Sequence, residues 1–247
     1  SYLRDTTSYN NFRSSCKAIY ECIHYVRSFY ESGALRSSVK IYQHIPRSDK
    51  EFFYMCGKLQ VRYTLSGFKY HGPCREFYED GNTKTICYFY LNKKDGSYLQ
   101  YHPNGVLSKS EQYYRGTCEG TTFTYYNNGT LHTVITYKDG QKNGVYREYL
   151  STGELIVEKS YKQGKLHGIY RELSNGVLLI LGCYIYGKIE NRWEEYYVDG
   201  GLCSIQHYLD GKQHGNEINY YANGKIKTMK RFVLGKQHDI EKGYYRD

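Results

Sequence analysis

The sequence predicts an all-β fold, an elongated single antiparallel sheet of about nine stacked 24-residue β-hairpin repeats. Two patterns predict it: glycines recur at a nearly fixed spacing, and columns of apolar side chains keep register with them. A constant period of roughly 20–50 residues is typical of stacked repeat arrays. These anchor glycines are 24 residues apart, with one gap of 23: Gly33, Gly57, Gly81, Gly105, Gly129, Gly153, Gly176, Gly200 and Gly224.

The residues before the anchor glycines predict the first turn of each repeat. Asn-Gly and Asp-Gly tolerate positive φ at both central positions of a type I′ turn and are strong hairpin signals. We therefore expect type I′ hairpin turns at Asn104-Gly105, Asn128-Gly129, Asn175-Gly176, Asn223-Gly224, Asp80-Gly81 and Asp199-Gly200. Aromatic pairs precede several of these turns: Phe29-Tyr30, Phe53-Tyr54, Phe77-Tyr78, Tyr125-Tyr126, Tyr196-Tyr197 and Tyr220-Tyr221.

The residues after the anchor glycines predict the following strand. An aliphatic residue stands two positions after most of them, and an apolar or aromatic residue stands eight positions after each. Side chains an even number of residues apart share one face of a strand. We therefore expect one packed inner face built from both columns: Leu107, Leu131, Leu155 and Leu178 with Tyr113, Tyr137, Tyr161 and Tyr184.

A second pair of glycine columns predicts how each repeat ends. The first stands eleven residues after the anchor: Gly116, Gly140, Gly164, Gly187, Gly211 and Gly235, with Asn92 in an earlier unit. The second follows four residues later: Gly72, Gly96, Gly120, Gly144, Gly168 and Gly215. Each unit thus reads as strand, tight turn, strand and glycine-bracketed loop. We expect an arm or cap over residues 1–27, the array over 28–238 and a truncated repeat over 239–247.

Two segments carry a family resemblance: Tyr220-Tyr221-Ala222-Asn223-Gly224-Lys225-Ile226 and Gly211-Lys212-Gln213-His214-Gly215. They resemble the MORN repeat, and most closely the MORN-variant repeat of bacterial antitoxin-like proteins and of giant viruses of amoebae. The resemblance covers about residues 28–238 and implies a non-catalytic scaffold. The early units depart from it, since Gly67 stands one residue early and His44 occupies the glycine column.

Composition agrees with an open sheet that lacks a thick core. The chain has 32 Tyr, 25 Gly and a mean hydropathy of −0.74. Tyrosine suits such a sheet because its ring buries carbon while its hydroxyl stays in water. The sequence contains no run of about 18 apolar residues, so no transmembrane helix is expected, and it shows no apolar core of a signal peptide. We expect an intracellular or virion protein whose scattered cysteines are reduced apolar fillers.

Three patterns of charged or metal-binding residues are candidates for chemical sites. The histidines His71, His167, His214 and His238 recur at the repeat period, so their neighbours are about 10 Å apart, too far to share one ion. The acidic residues Glu148, Glu172, Glu194 and Glu195 recur beside Arg147, Arg171 and Arg192, which predicts cross-strand ion pairs on an exposed face. The sequence therefore predicts no catalytic residue, no metal site and no cofactor, and the chain is not expected to be an enzyme.

The third pattern is basic, within a net charge of +9. It concentrates cations in one late repeat as a possible binding site for an acidic partner: Lys225, Lys227, Lys230 and Arg231. Alternation along the strand places Lys230 and Arg231 on opposite faces. We expect protein partners, within a large assembly such as a viral particle or in host interaction, and no specific nucleic acid. The alternatives are an antitoxin-like inhibitor of a toxin and a peripheral organiser on an anionic membrane surface.

Overall fold

A computed structural model describes residues 23–42, 47–238 and 241–244. The chain divides into two compact units, Ser1–Gly105 and Val106–Asp247. Several expectations lie outside the described residues: the arm over residues 1–22, His44, and residues 239–240 and 245–247 of the truncated repeat. The first strand begins at Ile23, so pairing extends into the last residues of the predicted arm.

Unit 1 is an antiparallel meander in which each long strand pairs with the strand before it and the strand after it. Its strands are β1 (Ile23–Phe29), β2 (Leu35–Tyr42), β3 (Arg47–Phe53), β4 (Leu59–Ser66), β5 (Lys69–Phe77), β6 (Thr83–Tyr90), β7 (Lys93–Lys94) and β8 (Gly96–Tyr101).

Unit 2 continues the same strand pattern within itself. Its strands are β9 (Leu107–Tyr114), β10 (Thr117–Cys118), β11 (Gly120–Tyr125), β12 (Leu131–Lys138), β13 (Gln141–Lys142), β14 (Gly144–Tyr149), β15 (Leu155–Lys162), β16 (Lys165–Ser174), β17 (Val177–Ile185), β18 (Lys188–Ile189), β19 (Asn191–Tyr196), β20 (Leu202–Leu209), β21 (Lys212–Gln213), β22 (Gly215–Tyr220), β23 (Ile226–Val233), β24 (Lys236–Gln237) and β25 (Lys242–Gly243).

The predicted fold class is confirmed: the chain is all-β, with antiparallel strands in hairpins and no helix in any of the described ranges. The predicted glycine-bracketed loop is wrong. Its place is taken by a two-residue strand, as in β13, which pairs with the end of β12. The glycine that follows, Gly144, has a φ of 115°. It begins the next long strand, so a bulge rather than a loop separates the two strands.

The type I′ turn predicted at the Asn-Gly and Asp-Gly anchors is wrong at all of them except Asn175-Gly176. At Gly129, whose φ is 86°, the amide donates to the carbonyl of Tyr126 at 2.9 Å. The Tyr126 amide donates in turn to the carbonyl of Thr130 at 2.9 Å. This is a type I turn followed by a left-handed glycine that forms a bulge. Asn128 is favoured because its side-chain oxygen accepts the Thr130 amide at 2.9 Å, not because it adopts positive φ.

The single 23-residue gap is explained by a different turn. Asn175 and Gly176 have φ values of 50° and 74°, the pattern of a type I′ turn. They form a two-residue loop closed by the pairs Ser174–Val177 and Leu173–Leu178. This loop is one residue shorter than the turns at the other anchors, which accounts for the shorter period there.

The type I′ pattern occurs mainly at the second turn of each repeat. Both central residues have positive φ in Leu91-Asn92, Arg115-Gly116, Asp139-Gly140, Gln163-Gly164, Tyr186-Gly187, Asp210-Gly211 and Leu234-Gly235. These loops hold only two residues, and the twist of a type I′ turn matches that of the flanking strands. The early Gly67 has a φ of 60° at the first central position, as a type II′ turn requires.

The predicted inner face is wrong because a bulge follows each first turn. Leu155 lies opposite Tyr149, whereas Val157 lies opposite Glu148. Directly opposed residues share a face and neighbours along a strand alternate, so the one extra residue reverses the alternation. Leu155 and Tyr161 are therefore on opposite faces, although they are an even number of residues apart.

The same register defines two faces in unit 2, and each is only half-buried. The tyrosine face carries Tyr113, Tyr137, Tyr161, Tyr184 and Tyr208. The leucine face carries Leu131, Leu155, Leu178, Leu202 and Ile226. Among the described residues no large side chain is completely buried. Side chains therefore pack against neighbours within the sheet rather than against a second layer.

Tyrosines three residues before an anchor glycine join successive repeats. Each hydroxyl donates to the backbone carbonyl that lies 23 residues later, at 2.7–3.1 Å. The bonds run from Tyr30 to Phe53, Tyr54 to Phe77, Tyr78 to Tyr101, Tyr126 to Tyr149, Tyr197 to Tyr220 and Tyr221 to Tyr244. The second residue of each aromatic pair is therefore an inter-repeat hydrogen-bond donor.

The opposite edge has its own inter-repeat bonds, made by the second turns. The second central amide donates to a carbonyl of the preceding repeat, as Gly187 does to Leu166 at 2.7 Å and Gly211 to Ile189 at 3.0 Å. In several repeats a side chain fourteen residues after the anchor accepts the first central amide, as Glu119 does from Asp139 at 2.8 Å. Both central amides of such a turn are then paired.

We predict that Tyr126→Phe lowers the free energy of unfolding by about 1 kcal/mol, because it removes one part-buried hydrogen bond to the Tyr149 carbonyl. The measurement is urea unfolding of the whole chain. Tyr114→Phe is the control, since the Tyr114 ring is largely exposed, and its effect should stay within about 0.5 kcal/mol. Equal losses in the two variants would contradict the inter-repeat role of the hydroxyl.

Candidate interaction surface

The four cations selected from the sequence do not form one patch. Lys230 lies opposite Glu217 on the tyrosine face, and its ammonium is 3.5 Å from Glu241. Arg231 lies on the other face, opposite Asn216. Lys227 is exposed, with its ammonium 5.8 Å from the centre of the Tyr221 ring.

The remaining member of the cluster, Lys225, lies in a turn. It precedes β23, and its amide donates to the side chain of Asn223 at 3.1 Å. The predicted separation of Lys230 and Arg231 by strand alternation is confirmed by the pairing register. The cluster is therefore divided between a turn and the two faces of one strand.

A second basic feature is more regular, and we call it the lysine row. It consists of exposed lysines twelve residues after the anchors of four consecutive repeats: Lys165, Lys188, Lys212 and Lys236. Each follows a type I′ turn directly and begins a strand. Two strands advance a sheet by about 10 Å, so successive lysine side chains of the row begin about 10 Å apart.

Two of the second turns pack on lysines of the row. A Cβ built on Gly211 would lie 3.4 Å from the Cβ of Lys188, and one built on Gly235 would lie 3.9 Å from the Cβ of Lys212. These two turns therefore lie against the lysine of the repeat before them. Glycine suits both turns because it accepts their positive φ.

Exposed apolar residues accompany the lysine row on the same face. Lys188 lies opposite Ile185, Lys212 opposite Leu209 and Lys236 opposite Val233. These aliphatic side chains are 36–43% exposed.

Two acidic residues near the row already make contacts of their own. Asp210 contacts the Lys188 ammonium at 2.5 Å, and Glu190 accepts the Asp210 amide at 2.7 Å. Sequence reasoning missed the lysine row because it counted cations within one repeat rather than at one position of every repeat. The signal that finds it is the lysine after the second-turn glycine in four consecutive units.

The tyrosine face couples phenols to carboxylates. Tyr146 donates to Glu148 at 2.8 Å, and Tyr170 donates to Glu172 two residues further along its own strand. Burial, followed by the hydrogen bond to the carboxylate, raises the pKa of Tyr146 and of Tyr170. These hydroxyls therefore stay protonated and donate to the carboxylates at neutral pH.

One aromatic cluster on the tyrosine face depends on a glycine. Trp193 stacks on Tyr170 with ring centres 5.5 Å apart and meets Tyr184 edge-on at 5.8 Å. A Cβ built on Gly182 would lie 2.0 Å from the Trp193 ring. The indole therefore lies directly on the backbone of β17, in space that any other residue would fill.

Of the predicted arginines, Arg192 contacts the predicted Glu194 at 2.5 Å along its own strand, whereas Arg147 and Arg171 pair with a different carboxylate. Arg147 and Glu148 are neighbours along β14, so their side chains point to opposite faces. On the leucine face, Arg147 and Arg171 both contact Glu158, at 2.6 and 2.7 Å. The cross-strand ion pair that the sequence predicts is thus present, but its carboxylate is Glu158.

The glutamate of this ion triad has a perturbed pKa. Burial raises the pKa of Glu158, but the hydrogen bond from Arg147 and the charges of both arginines outweigh it and lower the pKa below its usual value. The residue is therefore ionised in the folded chain at neutral pH, held between two arginines.

Two of the four recurring histidines act at turns. His167 accepts the Tyr186 amide at its Nδ1, and His214 accepts the Leu234 amide at its Nδ1, both at 3.4 Å. Across the described ranges no group of three metal-ligating side chains comes together. The described ranges also contain no helix that is long and apolar enough to cross a membrane.

Five segments of the chain match the MORN repeat variant family, at residues 70–92, 94–114, 119–139, 142–163 and 213–233. The unmatched stretch 164–212 holds the shortened turn and Gly182, yet it keeps the same strand pattern. No curated protein matches the chain. One solved structure that resembles it is a porin-like protein from Bacteroides uniformis, at 10% identity and a TM-score of 0.18, over 88% of this chain and 93% of that chain. A likeness that low has no bearing on fold or function.

We predict that Gly182→Ala destabilises the chain by about 1–3 kcal/mol, because the added methyl group must displace the Trp193 ring. Trp193 is the single tryptophan, so its fluorescence spectrum should shift as well. Gly243→Ala is the matched control, since a Cβ there meets nothing within 4 Å. An unchanged emission spectrum in Gly182→Ala would show that the ring does not lie on this glycine.

We predict that Glu158→Gln lowers the free energy of unfolding at pH 7 by about 1–2 kcal/mol, because it removes the charge from two arginine–carboxylate contacts. The loss is modest because both arginines are partly exposed to water. The folded pKa of Glu158 is below the unfolded one. Its contribution is therefore present above the unfolded pKa and is lost as the pH falls through the folded pKa. Urea unfolding at pH 7 and pH 3 measures this, and an equal loss at both would refute the ionic role.

Proposed function

We propose that this chain is a non-catalytic scaffold that binds a protein partner through the lysine row. The observation that supports this most is the geometry of the row. Four exposed ammonium groups, one per repeat, stand on turns that backbone hydrogen bonds tie to the preceding repeat. An ordered, periodic set of charges favours a partner whose acidic groups are spaced over several repeats.

The apolar neighbours of the row favour a protein partner over a simple polyanion. Ile185, Leu209 and Val233 are exposed beside Lys188, Lys212 and Lys236. A partner segment with carboxylates next to apolar side chains would bury these aliphatic groups while it pairs with the ammonium groups. Interface energy comes mainly from such buried contacts, whereas exposed charges chiefly set the association rate and specificity.

The other ionisable groups support a non-catalytic role. The phenols of the tyrosine face are hydrogen-bonded to carboxylates on the same strand, as in the pair Tyr146–Glu148. Glu158 is engaged by two arginines on the leucine face. General acid–base catalysis needs a group that can exchange its proton near neutral pH within reach of a substrate, and these groups are engaged in structural contacts.

We further propose that the scaffold belongs to a large assembly, as a component of a viral particle or in contact with a host protein. Its compartment would then be intracellular or the virion. One alternative is an antitoxin-like inhibitor that binds a single toxin. A second alternative is a peripheral organiser that lies on an anionic membrane surface, to which the exposed ammonium groups of the lysine row would be attracted.

We predict that replacing all four lysines of the row by Gln weakens partner recovery about tenfold or more. Four exposed charge pairs at about 0.2–1 kcal/mol each, lost together, give a change of that size. The measurement is affinity purification of the whole chain from its native source, with quantitative mass spectrometry over a salt series. Recovery with the wild-type chain should fall as salt screens the charges.

The matched control removes the same charge elsewhere, by replacing Lys225, Lys227, Lys230 and Arg231 with Gln. Loss in this variant alone would assign the contact to the cluster chosen from the sequence and refute the lysine row. A single stoichiometric partner that inhibits cell growth would support the antitoxin alternative. Row-dependent binding to phosphatidylserine vesicles, without a protein partner, would support the membrane alternative.

A further inference from the structure

Two cysteines face each other at the centre of the unit 1 core. Cys74 on β5 and Cys87 on β6 are directly opposed in the antiparallel register, with exposures of 7% and 6%. Hydrogen bonding between the two thiols raises the pKa of Cys74 and lowers that of Cys87. Together with Tyr63 they form the buried cluster of this unit, against which Phe52, Val61, Leu65, Phe89 and Tyr98 pack.

The strand geometry is within reach of a disulfide. Directly opposed residues in an antiparallel pair have Cα atoms about 4.5–5.5 Å apart, inside the range of about 4.4–6.8 Å found across disulfides. Their Cβ atoms are about 4.5–5.5 Å apart, slightly more than a relaxed disulfide prefers. The bond would draw β5 and β6 together by up to about 1 Å. Strain of that kind makes a disulfide easier to reduce, as in labile and regulatory bridges.

The surroundings give the two thiols different pKa values. The hydrogen bond from Cys74 lowers the pKa of Cys87, burial acts against this, and the positive charge of Lys94 lowers it further. The Lys94 ammonium lies 3.8 Å from the centre of the Tyr98 ring, which itself packs on the cysteine cluster. Cys87 is therefore the better nucleophile of the pair, since the thiolate is the reactive form.

We propose that Cys74 and Cys87 form a reversible disulfide by thiol–disulfide exchange with a small-molecule disulfide of the glutathione class. The Cys87 thiolate attacks one sulfur of that disulfide, forms a mixed disulfide and releases one small thiolate. The Cys74 thiol then loses its proton and attacks the Cys87 sulfur, which closes the protein disulfide and releases the second small thiolate. Two protein thiols are oxidised, one small disulfide is reduced, and the two protons end on the small thiols.

The consequence would be local to unit 1. The new bond would fasten β5 to β6 in the middle of the buried cluster of unit 1. A cross-link there restricts the unfolded chain and stabilises the folded pair of strands. None of the other described cysteines lies opposite a second cysteine: Cys56, Cys118, Cys183 and Cys203.

The test equilibrates the folded whole chain with glutathione at increasing ratios of oxidised to reduced form. Free thiols are then alkylated and tryptic peptides are mapped by mass spectrometry. Trypsin cleaves after Arg75 and Lys84, so Cys74 and Cys87 fall in separate peptides. The expected result is a linked pair of these peptides, a loss of two hydrogens from the intact mass, and a melting temperature that rises on oxidation and returns with dithiothreitol.

Several outcomes would overturn the proposal. One is full alkylation of Cys74 and Cys87 at every ratio while the exposed Cys56 takes up glutathione. Another is glutathione held stably on Cys87 with no linked peptide. Cys74→Ser should stop the reaction at the mixed disulfide, whereas the control Cys183→Ser should leave the linked pair unchanged. The wild-type peptide map decides the matter alone if a variant does not fold.

Discussion

The fold depends on hydrogen bonds that join neighbouring repeats within each unit, at both ends of the strands. At one end a tyrosine hydroxyl, such as that of Tyr126, reaches a carbonyl of the following repeat. At the other end the amide of a turn glycine, such as Gly187, reaches a carbonyl of the preceding one. A two-stranded hairpin is only marginally stable in water by itself. These bonds give each hairpin a neighbour to hold it, which is how stability is distributed in a repeat array.

The side-chain chemistry follows from the same single-layer construction. Most apolar residues in the described part of unit 2 are half-buried, and polar residues there must find partners within the sheet. Tyr146 pairs with Glu148 on one face, and Glu158 pairs with two arginines on the other. The turns at both ends of the strands remain exposed, and the lysine row stands beside the second turns.

The strands and turn positions were predictable because glycine spacing reports backbone geometry directly. The turn types were not, because Asn before Gly suits both a type I′ turn and, as Asn128 shows, a type I turn closed by its side chain. The residues on each face could not be predicted, because the bulge near Leu155 reverses the alternation and the composition of the strand does not indicate it. The lysine row was visible at position twelve of the repeat, yet the meaning of a charge at that position depends on the stacked turns. The partner of Arg147 was missed because Glu158 belongs to the next strand.

The bulge after each first turn has a consequence for how such a chain can change in length. The turn at Asn175-Gly176 has lost one residue, yet Leu178 still lies opposite its partner Leu173 and the next strand keeps its faces. A deletion within the loop is therefore silent for everything downstream. One residue removed from the bulge itself would exchange inside for outside along the rest of that strand. The same one-residue change therefore has opposite structural effects at two positions only three residues apart.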